Sequence, residues 1–146
     1  MRIMGLDVGK KTIGVAVSDE GALTAQPLLT IKRTSKAKDF AELQRIIREF
    51  AIETIVAGLP VNMDGTLGPQ SQVMLKFIDD LKAETGLPVI AWDERLSTIA
   101  VTRVLLEGDI SRAKRKEVVD KMAASYILQG YLDSRRIADS SQGGTR

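Results

Sequence analysis

The chain has 146 residues, 44% of them hydrophobic and 27% charged, which is the length and make-up of one globular domain with a single substantial core. Cysteine and histidine are both absent, so disulfides, zinc fingers, cysteine nucleophiles and histidine-based triads are excluded. With 21 basic against 19 acidic residues the net charge is only +2, and no apolar run reaches the roughly 18–20 residues of a membrane span, so a soluble, cytoplasmic protein is expected.

Met1-Arg2 leads directly into an apolar segment, Arg2 to Val8, rather than into a signal peptide. A second segment, Thr12 to Ser18, follows across Gly9-Lys10-Lys11, which predicts a tight hairpin with Asp7 near the end of its first strand. A third strand is expected within Leu23 to Ile31, at an edge because of Pro27. Phe40, Leu43, Ile46, Ile47 and Phe50 recur at helical spacing and predict an amphipathic helix over Lys38 to Phe50. A buried strand is expected at Thr54 to Ala57, a Gly/Pro/Asn/Asp-rich loop from Gly58 to Gly68, and a helix opening at Pro69 and ending at Gly86. Pro88 to Trp92 reads as another short strand, with Asp93-Glu94-Arg95 just beyond its carboxyl end. Ligands favour that end in open α/β sheets. Further helices are expected at Ser97 to Leu106 and at Lys114 to Ser134, the latter with Val119, Met122, Ala123, Tyr126 and Ile127 on its inner face. The domain therefore spans residues 1–134, and residues 135–146, rich in Ser and Gly, form a flexible tail.

Strand one is central in the mixed sheet that this order predicts, three antiparallel strands and then two parallel ones, flanked by helices. Asp7 sits at its end, Asp93 or Glu94 ends the last strand, and the final helix brings Asp120 across. Anionic carboxylates gathered at one place repel one another and persist together only with cations among them. Mg2+ or Mn2+ suits an all-oxygen donor set, and a pair of such ions supports in-line phosphodiester displacement. Taken singly each acid has a plainer reading: a turn residue for Asp7, a helix cap for Asp93-Glu94, and a surface ion pair with Lys116 or Lys121 for Asp120. The basic run Arg112, Lys114, Arg115, Lys116 and Lys121 fits either a solvated helix face or a polyanion-binding one.

Five segments together are far more specific: Ile3-Met4-Gly5-Leu6-Asp7-Val8-Gly9, Ile13-Gly14-Val15-Ala16-Val17-Ser18-Asp19, Gly58-Leu59-Pro60 with Asn62-Met63-Asp64-Gly65-Thr66, Trp92-Asp93-Glu94-Arg95-Leu96-Ser97-Thr98, and Asp120-Lys121-Met122-Ala123-Ala124. In this order they resemble the bacterial YqgF/RuvX family over about residues 2 to 133. The resemblance implies an RNase H-like fold related to Holliday junction resolvases and a nuclease that matures the 5′ end of precursor 16S ribosomal RNA. Its acidic positions fall on Asp7, Glu94 and Asp120, with Asp93 as the substitute for Glu94. Under this reading Lys10, Lys11, Arg95 and the basic run hold the nucleic acid, and Asn62, Asp64 and Thr66 shape substrate access. Thr12 stands where many relatives carry Arg, which leaves Lys10 or Lys11 as the phosphate contact there.

The implied partners are precursor rRNA or branched DNA, and ribosomal precursor particles, met by a monomer or weak homodimer. Two readings of other classes compete. One is a non-catalytic RNA-binding assembly factor. The other is a nucleotide-binding hairpin, since Asp7-x-Gly9 before a second strand also looks like that of actin-like ATPases and sugar kinases; those proteins close two such domains over a nucleotide, and 146 residues supply one.

Overall fold

The computed structural model describes residues 1–96 and 112–143, and the side chains of residues 1–96 and 120–136. The strands are β1 (Arg2–Val8), β2 (Thr12–Ser18), β3 (Ala25–Lys32), β4 (Ile52–Leu59) and β5 (Val89–Asp93). The helices are α1 (Lys36–Phe50), α2 (Pro69–Thr85) and α3 (Arg112–Gly143), with a 3-10 turn at Glu94–Leu96. The helix expected at Ser97 to Leu106 lies outside the described residues. Among those described, no helix is long and apolar enough to cross a membrane.

The sheet order is β3-β2-β1-β4-β5, which puts β1 at the centre as the order of elements predicts. The β1–β2 and β2–β3 pairs are antiparallel; β1–β4 and β4–β5 are parallel. Pro27 is accommodated on the edge strand, where the register shifts: Val15 faces Leu29 and Ala16 faces Pro27, leaving Leu28 as the extra residue.

Helix α1 starts where Ser35 caps it by accepting the Lys38 N–H at 3.2 Å, and it ends where Ala51 turns left-handed at φ 51°. The sequence placed its start two residues late because its first turn is polar. Helix α2 has Pro69 in its first turn and Gly86 at its end with φ 70°, as the sequence predicts.

Strand alternation divides the core into two layers. Met4, Leu6, Ile13, Val15, Ile55 and Ala57 face α1 and α2, meeting Leu43, Ile46, Ile78 and Leu81. Ile3, Ala16 and Val56 face α3, meeting Ala123, Ala124, Ile127, Leu128 and Leu132. Of the expected stripe of α3, Ala123 and Ile127 are buried, Met122 and Tyr126 are only half-buried, and the Val119 side chain lies outside the described set. Ala124, Leu128 and Leu132 complete the buried face. The reason is close approach. A Cβ on Gly5 would stand 2.7 Å from the Leu128 Cβ and 3.0 Å from the Ala124 carbonyl oxygen, so helix and strand meet with no room for larger groups. Helix α3 also runs through Gly143, past the Ser134 end that the drop in apolar content suggested.

Candidate active site

Asp7 is the penultimate residue of β1 and is 9% exposed. By alternation it shares the α3 side of the sheet with Ile3 and Gly5. Its partner on β2 is Gly14, and the β1–β4 register, with Leu6 opposite Ala57, continues to set Asp7 beside Gly58. A glycine therefore flanks Asp7 on each side across the sheet, and each makes room for another acid. A Cβ on Gly14 would lie 2.0 Å from the carbonyl oxygen of Asp120. One on Gly58 would lie 2.8 Å from Glu94 Oε1 and 2.6 Å from Ile127 Cδ1. Asp120 thus stands over β2 and Glu94 over β4, on the same face as the Asp7 between them.

Thr12 has its place in this arrangement: its hydroxyl donates to Asp120 Oδ2 at 2.5 Å. Among the described residues, no group of three or more acids is already close enough together to hold a metal ion. The donor set is nevertheless entirely oxygen, and the two glycines let the Asp120 backbone and the Glu94 side chain come in on either side of Asp7. Both features fit a hard divalent cation.

Asp93, the alternative to Glu94, is engaged elsewhere. It pairs in register with Leu59, whose side chain packs on the α1/α2 side, and so alternates away from the face of Asp7. Its carboxylate takes the Arg95 guanidinium at 2.8 Å from Nη2 and 3.1 Å from Nε, and accepts the Arg95 N–H at 2.9 Å. The Arg95 hydrogen bonds hold the Asp93 carboxyl below its usual range, against the opposing effect of partial burial.

Asn62, Asp64 and Thr66 are bonded to one another. Thr66 donates its hydroxyl to Asp64 Oδ1 at 2.6 Å and its N–H at 3.0 Å, while Asn62 Nδ2 donates to the Thr66 hydroxyl oxygen at 3.0 Å. The Thr66 hydroxyl is the main cause that lowers the Asp64 carboxyl. Gly65, at φ +88°, supplies the left-handed residue this turn requires. Arg95 Nη1 reaches the carbonyl oxygens of Asn62 and Met63, each at 3.4 Å.

Lys10 and Lys11 are exposed on the β1–β2 turn, which Gly9 closes by donating to the Thr12 carbonyl at 2.8 Å. Arg33, which the sequence did not single out, braces the turn by donating Nη1 to the Gly9 carbonyl at 2.7 Å and N–H to that of Lys11 at 2.9 Å. Lys121 follows Asp120 and is half-buried. Arg112, Lys114, Arg115 and Lys116 start α3, their side chains outside the described set. A groove of about 680 Å3 lined by Lys36, Phe40, Gln44, Arg48 and Glu84 belongs to the α1 and α2 side and contains none of these acids.

Sheet order, strand directions and the covering helices define an RNase H-like fold. Thermus thermophilus RuvC bound to a Holliday junction substrate superposes with a TM-score of 0.57 at 19% identity, covering 93% of this chain and 96% of that one. The fowlpox virus resolvase bound to Holliday junction DNA gives 0.52 at 14% identity, covering 92% and 98%.

At these identities the likeness speaks for the fold alone, and the family is settled by sequence. The chain belongs to the RuvX family, described as Holliday junction resolvase, whose model matches residues 1–134. A Thermoanaerobacter pseudethanolicus protein is 58% identical over 137 residues, covering 93% of this chain and 99% of its own. A Clostridioides difficile protein is 63% identical over 132 residues, covering 90% and 94%. Both bear the name "Putative pre-16S rRNA nuclease".

Proposed function

We propose that the protein is a divalent-metal-dependent nuclease that processes the 5′ end of precursor 16S rRNA in the cytoplasm, acting on ribosomal precursor particles as a monomer or weak homodimer. The observation that carries this reading is the placement of Asp7, Glu94 and Asp120 on one face of the sheet, with a glycine on each side of Asp7 leaving room for the other two. Asp7, the most buried and central, would hold the divalent cations together with Glu94 and Asp120. Thr12 holds the Asp120 carboxylate in place. Bound Mg2+ or Mn2+ supplies an activated water and stabilisation of the leaving oxygen. Lys10 and Lys11 project at the carboxyl end of β1 and hold the substrate backbone, with Lys121, Arg112, Lys114, Arg115 and Lys116 contributing from α3. The turn at Asn62, Asp64 and Thr66 borders the site as a pre-shaped rim.

RNA is favoured as substrate because the relatives that share more than half of this sequence bear the rRNA nuclease name. The family description favours a second reading, resolution of four-way DNA junctions. Incubating a precursor 16S fragment and a four-way junction with wild type and Asp7→Asn, in Mg2+ or Mn2+, separates them. Cutting of the RNA alone, lost in the variant, is expected. Paired symmetric cuts in the junction would transfer the assignment to DNA. Binding of RNA that survives neutralisation of Asp7 and Glu94, without cleavage at any metal concentration, would make the protein an assembly factor.

A further inference from the structure

Arg95 was expected to face nucleic acid, yet its guanidinium is taken up within the protein. Nε and Nη2 bind the Asp93 carboxylate and Nη1 reaches the Asn62 and Met63 carbonyls, so each of its three nitrogens has a protein partner. Asp93 and Arg95 are also joined through the backbone, because Asp93 Oδ1 accepts the Arg95 N–H at 2.9 Å. This closes a ring around the one residue between them, Glu94, which opens the 3-10 turn and lies over Gly58.

We infer that Asp93 and Arg95 are positioning residues that bracket Glu94, fixing the direction of its carboxylate and tying the Asn62–Thr66 turn to the same point. The inference rests on the reading of Glu94 as a metal ligand. Three features support it. The pair is part-exposed, at 24% for Asp93 and 40% for Arg95, and ion pairs of that kind add little to global stability, so a purely structural role leaves the arrangement unexplained. The fork geometry demands arginine, since a lysine ammonium cannot hold one carboxylate with two nitrogens while reaching the turn with a third. Finally, Asp93 pairs with Leu59 and alternates away from Asp7, which suits a support for a ligand and not a ligand.

The test is calorimetric titration of the intact protein with Mn2+ alone, beside the salt dependence of binding to a precursor 16S RNA fragment in the absence of metal. The variants are Arg95→Gln, Arg95→Lys, Asp93→Ala, Asp93→Asn, the double Asp93→Ala/Arg95→Gln, and Glu94→Gln as reference. Removing a support of this kind weakens metal binding by about 10–100-fold, so Arg95→Gln and Asp93→Ala should lose Mn2+ affinity in that range. Asp93→Asn, which keeps the oxygen that accepts the Arg95 N–H, should lose less, and Arg95→Lys should not restore the wild-type value. The double variant should be no worse than the poorer single one, because either change opens the same ring. The salt slope of RNA binding should stay at the wild-type value throughout. A slope reduced by about 1 in Arg95→Gln with Mn2+ affinity intact would make Arg95 a phosphate contact and overturn the bracket. Weakened Mn2+ binding in Glu94→Gln alone would also overturn the bracket while leaving the metal-site reading standing. Unchanged binding in Glu94→Gln would overturn both. The conservative Asp93→Asn and Arg95→Lys keep the test decisive if a harsher variant fails to fold.

Discussion

Replacing Gly14 by alanine sets a methyl carbon 2.0 Å from the carbonyl oxygen of Asp120 and 2.4 Å from its carbonyl carbon. Ordinary contact begins at 3.4 Å, so α3 must retreat from β2 by about 1.4 Å. The obstruction is backbone, so no rotamer change relieves it. The helix cannot tilt freely either, because Gly5 holds it against β1 at Ala124 and Leu128. Overpacking typically costs ~1–3 kcal/mol, and backbone against backbone belongs at the upper end. Alanine regains at most about 1 kcal/mol from its smaller loss of backbone freedom, so the clash wins. At roughly 3 °C per kcal/mol for a chain of this size, Tm falls by about 6–9 °C. The retreat also carries Asp120 away from Asp7, and a displacement near 1 Å lowers single-turnover cleavage by about 100-fold. Gly21→Ala is the control: its Cβ would have no neighbour closer than 3.4 Å, so stability should stay within ~0.5 kcal/mol of wild type. A Gly14→Ala protein with wild-type Tm and cleavage rate would refute the packing of α3 on Gly14, and with it the placement of Asp120 beside Asp7.

Thr12→Val removes the hydroxyl that donates to Asp120, a hydrogen bond to a charged group worth about 1.5–3 kcal/mol. Cleavage should fall by about 10-fold or more, while Thr12→Ser retains most of it, as single-turnover rates will show. Ser35→Ala deletes the cap of α1 and should cost ~1 kcal/mol in urea unfolding with cleavage unchanged. Arg95 holds the Asp93 carboxyl low, so the native state favours its ionised form. That stabilisation is complete above the unfolded pKa, near 4, and is lost as pH falls through the lower native value. Urea midpoints taken from about pH 5 downward should therefore drop less steeply for Asp93→Asn than for wild type in this range.

Much of the scaffold was legible because local chemistry decides it. Gly9 and the apolar segments on either side of it define the first hairpin, Pro27 marks the edge strand, and Pro69 and Gly86 bound α2. A carboxylate within the apolar run of β1 made Asp7 stand out. Other features depend on contacts that sequence spacing does not reveal. Thr12 and Asp120 meet across 108 positions. Gly14 and Gly58 read as ordinary small residues of strand and loop until the register places both beside Asp7. The expected stripe of α3 held Ala123 and Ile127, which are buried, together with Met122 and Tyr126, which are half-buried, whereas close approach to Gly5 selects Ala124 and Leu128. Arg95 reads as a free cation beside an acidic pair, and only the fold around β4 brings the Asn62 and Met63 carbonyls within its reach.

The most direct test of the proposed metal nuclease is single-turnover cleavage of a precursor 16S fragment by wild type, Asp7→Asn, Glu94→Gln and Asp120→Asn, each first shown to unfold at the wild-type temperature or above. With saturating Mg2+ or Mn2+, each variant should cut at least about 100-fold more slowly than wild type, and chelation should stop wild-type cutting. Wild-type cleavage by Asp7→Asn, or cutting that persists in chelator, would contradict the account.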